Sequence, residues 1–174
     1  AVYGLPELYR SKIASAKLVA NPGCYPTGAI LALAPAVKAS VIEPNIIIDS
    51  KSGVSGTGRT LSLLSHFSEA NEDVSAYALE GHRHLPEIVQ ELKLLNPQTP
   101  SVTFVPHLVP MTRGILTTCY ARLASGKSEK KLKELYLDFY KDEPFVRVAS
   151  SPPHTKYTWG CLLYTSDAAD EEDS

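Results

Sequence analysis

Four short stretches of this 174-residue sequence carry side chains able to do chemistry. The first is Asn21-Pro22-Gly23-Cys24-Tyr25-Pro26-Thr27. Two prolines and a glycine force a turn, and Pro26 suits the first turn of a helix formed by the residues that follow, 28–39. That puts Cys24 at or just before a helix N-terminus, where unpaired backbone N–H groups and the positive end of the helix dipole favour thiolate over thiol. An ordinary thiol, with a pKa of about 8.5, is only a few per cent ionised at neutral pH, so the setting decides whether a cysteine is a usable nucleophile. The same N–H groups can stabilise the oxyanion formed when a thiolate attacks a carbonyl. The plainer reading is a small apolar side chain filling a strand-to-helix turn.

The second stretch is Gly81-His82-Arg83-His84-Leu85-Pro86-Glu87-Ile88. Two histidines and a glutamate at a helix start suit a general acid or base with orienting partners. They also suit metal ligation, which is the weaker reading because His82 and His84 would need a third ligand and an extended backbone. A solvated, helix-capping polar loop is the plain alternative for each of them. The third stretch, Ser50 to Arg59, has glycines at 53, 56 and 58 that let a ligand approach the backbone, with Lys51 and Arg59 adding charge. It is neither a Walker A loop nor a dinucleotide fingerprint, and by itself it reads equally as a flexible connection. The fourth, His107-Leu108-Val109-Pro110-Met111-Thr112-Arg113-Gly114, places an arginine between two predicted strands, where it can hold a carboxylate or phosphate bidentately or simply face solvent. Cys119, within an alternating strand, and His154, in a proline-rich loop, read as structural.

The elements that must position these residues follow from periodicity. Helical spacing predicts helices over 4–16, 28–39, 86–95 and 128–140, the last capped by Ser128 with Leu132, Leu135 and Phe139 inward. Period-two or short apolar runs predict strands over 17–20 (a buried piece), 45–50, 102–109, 115–123 and 145–149, with a loop over 51–60. Strands joined by long irregular loops, with helices interspersed, predict an α+β fold with a mixed, largely antiparallel sheet. With 44% hydrophobic and 21% charged residues the chain is long enough for one domain with a real core.

The formal charge of −2 hides an asymmetry. Asp167, Asp170, Glu171, Glu172 and Asp173 crowd the last eight residues, so residues 1–160 carry 17 bases against 14 acids, a balance of +3. Neither figure gives the basic surface that holds nucleic acid. Three cysteines, Cys24, Cys119 and Cys161, make no CxxC pair and no disulfide framework, which fits a reducing compartment. The apolar run around 29–37 is far short of the roughly 20 residues that cross a bilayer, and the expectation is a soluble, cytoplasmic protein with no membrane partner. Ala1 stands first and Met111 is the only methionine, so the sequence reads as a piece of a longer protein.

Taken in order, the motifs resemble those of the semialdehyde dehydrogenase group, and within it the N-acetyl-gamma-glutamyl-phosphate reductase family of arginine biosynthesis. The likeness runs from Tyr3 to Gly160: Tyr3-Gly4-Leu5-Pro6-Glu7-Leu8, the Cys24 turn, Ser52-Gly53-Val54-Ser55-Gly56, Phe67-Ser68-Glu69-Ala70-Asn71, the His82 stretch and the Arg113 stretch. The resemblance implies the catalytic, or dimerisation, domain of a phosphorylating aldehyde dehydrogenase, with the family's N-terminal Rossmann half absent and a homo-oligomeric parent. It implies Cys24 as nucleophile and His82 as acid/base. It further implies Tyr77, His84 and Glu87 as neighbours shaping the substrate site, Arg113 as a contact for a substrate anion, and Ser52, Gly53 and Gly56 near the nicotinamide end of NADP, with no metal.

The reaction so implied is NADPH-dependent reduction of an acyl phosphate to an aldehyde through a thioester on Cys24. Related enzymes acting on aspartyl phosphate or a carrier-bound aminoadipyl phosphate are rivals, as are a cysteine hydrolase or acyltransferase without nicotinamide and a metal-binding module on His82, His84 and Glu87. The chain alone is expected to be inactive as a reductase. Residues 161–174 depart from the family and resemble a translated transposase-type sequencing adapter, so the expected domain is 1–160, truncated at both ends, with a non-native, disordered tail.

Overall fold

The computed structural model describes residues 1–98, 101–128, 130–159 and 164–166. A short parallel pair, β1 (Val2–Tyr3) and β2 (Val19–Ala20), flanks helix α1 (Pro6–Ala14). Helix α2 (Cys24–Lys38) leads to the long strand β3 (Ile42–Ser52). After α3 (Phe67–Ala70) and β4 (Ser75–Ala76) come α4 (Leu85–Leu95), β5 (Ser101–Leu108) and β6 (Ile115–Leu123). Helix α5 (Lys130–Tyr140), β7 (Val146–Val148) and β8 (Tyr164–Ser166) complete the order.

The main sheet has four strands in the order β4-β5-β3-β6. β3 pairs with β5 in parallel, through the crossover that contains α4, and with β6 antiparallel; β4 adds a second antiparallel edge. The sheet is therefore mixed and largely antiparallel, in an α+β fold. β3 bulges against β6 between Ile42 and Ile46, where Pro44 has no N–H to give the ladder.

Strand alternation puts Ile46, Ile48, Ser50 and Ser52 of β3 on the face covered by α2 and α4. There they meet Tyr25, Ala29, Leu33 and Val37 of α2, Ile88 and Leu92 of α4, and Phe104 of β5 in the larger core. A second core lies on the other side of α2, where Ile30, Leu31 and Ala36 pack with Leu5, Tyr136, Tyr140 and Val146. α2 is thus apolar all round and sits between two layers, each fully buried Ile or Leu contributing about 1.5–3 kcal/mol. Pro35 lies inside it. A proline there cannot bond the carbonyl four residues back, which is Leu31, and Tyr140 supplies the missing partner by donating its hydroxyl to Leu31 O at 2.5 Å. Tyr136 similarly reaches Ala32 O at 2.6 Å.

Several sequence expectations shift. α2 begins at Cys24, four residues before the predicted start at 28, because the prolines and Gly23 can occupy a helix's N-cap and first turn, where no intrahelical N–H is needed. The inward stripe of α5 is led by Tyr136 and Tyr140, with Leu132, Leu135 and Phe139 only half-buried, since the phenol hydroxyls find carbonyls on α2. The 17–20 piece is exposed (Leu18 67%, Val19 43%), because β2 has only β1 beside it and nothing covers its side chains. Lys51 and Ser52, predicted as loop, continue β3. Residues 161–163 and 167–174, with Cys161 and most of the expected tail, lie outside the described residues. Among the described residues no helix is long and apolar enough to cross a membrane.

Candidate active site

Gly23 is the N-cap of α2 and Cys24 its first residue. Thr27 closes the turn, its N–H and hydroxyl both donating to Gly23 O at 3.0 and 2.8 Å. The Cys24 thiol is exposed and free, on a 15-residue helix whose first N–H groups have no intrahelical acceptor. The next side chain, Tyr25, points into the core and brings the second motif to the first.

The Tyr25 ring lies edge-on to His82 at 5.6 Å and to His84 at 6.0 Å, and Tyr77 reaches His82 at 5.7 Å. Phe104 closes the cluster at 5.4 Å from both His82 and Tyr25. Tyr25 and Tyr77 share a hydroxyl–hydroxyl hydrogen bond of 2.8 Å, and burial, then that bond, pushes the Tyr25 phenol well above its ordinary range. Tyr77 is also raised, chiefly by burial. Tyr25, the residue after Cys24, thus links the Cys24 turn to His82 and Tyr77, although no hydrogen bond joins Cys24 Sγ to an imidazole among the described residues.

His82 is held in a defined way. Its Nδ1 accepts the backbone N–H of His84 at 3.1 Å, so the proton of the neutral ring sits on Nε2. Burial, with His84 and Arg83 adding to it, holds His82 below the usual histidine range, and burial does the same to His84 against an opposing pull from Glu87. The result is a neutral ring that can donate from Nε2. Glu87, in the first turn of α4, accepts the Gly23 N–H at 2.8 Å and the Tyr3 hydroxyl at 2.7 Å, both on Oε1. Gly23 is tightly packed: a Cβ there would stand 2.7 Å from His84 Nε2 and 3.0 Å from Glu87 Oε2, so those side chains would have to shift.

The third and fourth motifs also come together. The loop after β5 crosses the end of β3, with Gly53 N–H donating to Gly114 O at 3.0 Å, Val54 to Met111 O at 2.9 Å and Ser55 to Thr112 O at 3.1 Å. A Cβ on Gly53 would lie 2.7 Å from Met111 O. Ser52 is buried, and Gly56 packs so tightly on it that a Cβ would be 2.9 Å from its Oγ. The N–H groups of 53–56 are thus spent inside the protein, Gly56 N–H on Gly53 O at 3.2 Å, so they are not free to cradle an anion. Arg113 is exposed at the crest of the crossing loop, and no described carboxylate pairs with it. No group of three or more His, Cys, Asp or Glu side chains among the described residues is arranged to hold a metal ion.

Sequence reasoning missed Tyr3 as a partner of Glu87, Tyr25 as the bridge to the histidines, and Phe104. The available signal was weak: an aromatic in a turn motif is ordinarily a core residue.

The described residues thus form a mixed sheet under two helices, with a cysteine opening one helix and a histidine pair in the turn that leads into the other. The chain belongs to the semialdehyde dehydrogenase family, whose dimerisation-domain model matches residues 24–168. Among curated proteins it is similar to N-acetyl-gamma-glutamyl-phosphate reductases. It is 61% identical over 168 residues to one from Dehalococcoides mccartyi (94% of this chain, 49% of the relative) and 58% identical over 163 residues to one from Pelotomaculum thermopropionicum (92% and 47%). The chain spans about half the length of the curated relatives it matches. Its fold is like that of aspartate semialdehyde dehydrogenase II from Vibrio cholerae, with a TM-score of 0.61, 15% identity, and coverage of 87% of this chain and 52% of that one. A probable aspartate-semialdehyde dehydrogenase from Pseudomonas aeruginosa gives 0.61 at 14% identity over the same shares. The family match extends past residue 160, and the backbone of Tyr164–Ser166 pairs with β7.

Proposed function

We propose that the protein of which this chain spans about half reduces N-acetyl-gamma-glutamyl phosphate to the semialdehyde in the cytoplasm, with Cys24 as the nucleophile. The observation that carries the reading is an exposed cysteine opening a long helix, followed by a tyrosine that meets His82 and Tyr77, in a chain 61% identical to a reductase of that name.

The Cys24 thiolate attacks the acyl carbon, its electron pair forms the C–S bond, and the tetrahedral oxyanion collapses with departure of inorganic phosphate to leave a thioester. Hydride would come from NADPH when bound, with Ser52, Gly53 and Gly56 near its nicotinamide end. The thiohemiacetal alkoxide then reforms its carbonyl, the C–S bond breaks, and Cys24 returns as thiolate with the aldehyde released. His82 donates a hydrogen bond from Nε2 to the oxygen in both tetrahedral species, and the neutral ring set by burial and the His84 N–H is the form that can do so. Arg113 holds a substrate anion from the crossing loop, and Tyr77, His84 and Glu87 shape the pocket around the reacting carbon.

The parent is a homo-oligomer. The family model is that of a dimerisation domain, and the sheet face opposite α2 and α4 is uncovered, with Ile47 48% and Tyr120 55% exposed around the paired Asp49 and Lys51.

In the full-length protein, Cys24→Ser should abolish phosphate-dependent NADP reduction with the semialdehyde, by about 10³-fold or more. Retained turnover would remove Cys24 from the reaction. Residues 1–174 alone should show no NADPH oxidation with the acyl phosphate, and measurable turnover would overturn the expectation that this half is inactive by itself.

A further inference from the structure

We infer that Tyr3, acting through Glu87, forms a positioning relay for Cys24. Three segments far apart in the chain meet at one carboxylate oxygen. Tyr3, 84 residues from Glu87, donates its hydroxyl to Oε1 at 2.7 Å, and Gly23, 64 residues away, donates its N–H to the same atom at 2.8 Å. Gly23 is the residue immediately before Cys24, so Glu87 fixes the plane of the peptide group from which the nucleophile's turn begins. Glu87 is itself in the first turn of α4, where the helix dipole favours a carboxylate. Burial and the bond to Glu87 push the Tyr3 phenol far up, so it stays protonated and remains a donor at any working pH.

The relay has a second anchor one helical turn on. Tyr9 donates to Oε2 of the fully buried Glu91 at 2.6 Å, and the Tyr3 and Tyr9 rings pack edge-on at 6.1 Å. Glu87 and Glu91, at i and i+4, lie on one face of α4. That face is therefore bolted to residues 3–9, a segment outside the stretch matched by the family model. The consequence for the site is geometric. The His82–His84 stretch leads directly into α4, with His84 as its N-cap, so the bond from Glu87 to Gly23 ties the helix that bears the nucleophile to the helix that follows the imidazoles.

The inference rests on the reading of Cys24 as nucleophile, yet its test needs neither substrate nor cofactor. Cys24 alkylation by iodoacetamide is followed by mass spectrometry in the native chain, with thermal unfolding measured alongside. Tyr3→Phe changes no formal charge, and it should slow Cys24 alkylation at pH 7 about threefold to fivefold while the chain stays folded, the effect of loosening one hydrogen bond. Glu87→Ala and Glu87→Gln both remove the charge, but Gln keeps an acceptor oxygen for Tyr3 and Gly23. Glu87→Ala should therefore alkylate about fivefold more slowly than Glu87→Gln and exchange its Gly23 amide hydrogen faster. If Tyr3→Phe and Glu87→Ala lower only the unfolding temperature and leave the alkylation rate and the Gly23 amide unchanged, the two residues are merely structural and the relay is wrong. Should Glu87→Ala not fold, Tyr3→Phe decides alone. Loss of the reductase reading would show as absent turnover in the full-length protein with these rates still altered.

Discussion

Cys24 and Cys119 are the same residue in two settings separated by one layer of the molecule. Cys24 opens α2, exposed, among N–H groups with no intrahelical acceptor, and the next residue, Tyr25, packs against two imidazoles. Cys119 sits in β6 opposite Ile48 with its side chain against the larger core, and burial pushes its thiol up to about 12. Each lies next to apolar structure, so residue type and hydrophobic surroundings do not separate a nucleophile from a core residue. What separates them is whether the sulfur faces solvent and backbone donors, or packed side chains with nothing to stabilise its charge.

That comparison can be broken most directly with a thiol reagent. At pH 7 a thiol at about 12 is ionised to roughly one part in 10⁵, so native Cys24 should alkylate at least about 10³-fold faster than Cys119, and denaturant should erase the difference. Comparable native rates would mean that the two environments are equivalent. Next in size is His82→Gln in the full-length protein, which should lower kcat by about 10²-fold with KM little changed, because the imidazole acts on the oxyanion and not on the ground state. An unchanged kcat would exclude His82 from the chemistry.

Two glycines sharpen the contrast between the Cys24 turn and the packed sheet end. Gly53→Ala drives a methyl into the backbone of Met111 and Arg113, which cannot swing away, and should cost about 2–3 kcal/mol in denaturant unfolding. Gly23→Ala meets only the ends of His84 and Glu87 and should cost less, about 1–2 kcal/mol. A reversed order would show that the Cys24 turn is the more rigid of the two.

The smallest effect expected is in the pH dependence of stability. His82 is lowered in the folded state from its ordinary 6.5, so above that value both folded and unfolded forms are neutral and it contributes no slope. As pH falls below 6.5 the unfolded chain takes up the proton first, and stability declines until the lower folded value is passed. His82→Gln should flatten this part of the curve. An unchanged slope would assign it to other groups.

Much of this was legible in the residues. Pro22, Gly23 and Pro26 announce a turn into a helix, and Cys24 falls at its start because proline and glycine have few other uses there. The alternation in 102–109 and 115–123 marks two strands of the sheet within a residue of their observed bounds. The phase of α5 was misread because hydrophobicity ranks Leu above Tyr, whereas burial here follows the carbonyls of Leu31 and Ala32 that only tyrosine hydroxyls can reach. The burial of 17–20 was misread because an apolar run does not reveal how many neighbours its strand has. Gly53 looked like a site for ligand approach, and it is a site of approach, but for the chain's own crossing loop.

By itself, the sequence determined which side chains exist to do chemistry, roughly where the longer helices and most of the longer strands lie, and that a cysteine would stand at a helix N-terminus. These are local matters, settled within a few residues by backbone sterics and hydrophobic period. Only the tertiary structure decided that Tyr3 and Gly23 share one oxygen of Glu87, that β3 separates β5 from β6, and that His82 turns Nδ1 to the His84 N–H while Tyr25 brings it to the Cys24 turn. Those contacts close loops of tens of residues, and the geometry at such distances is set by how the two cores pack around α2 and not by any local preference.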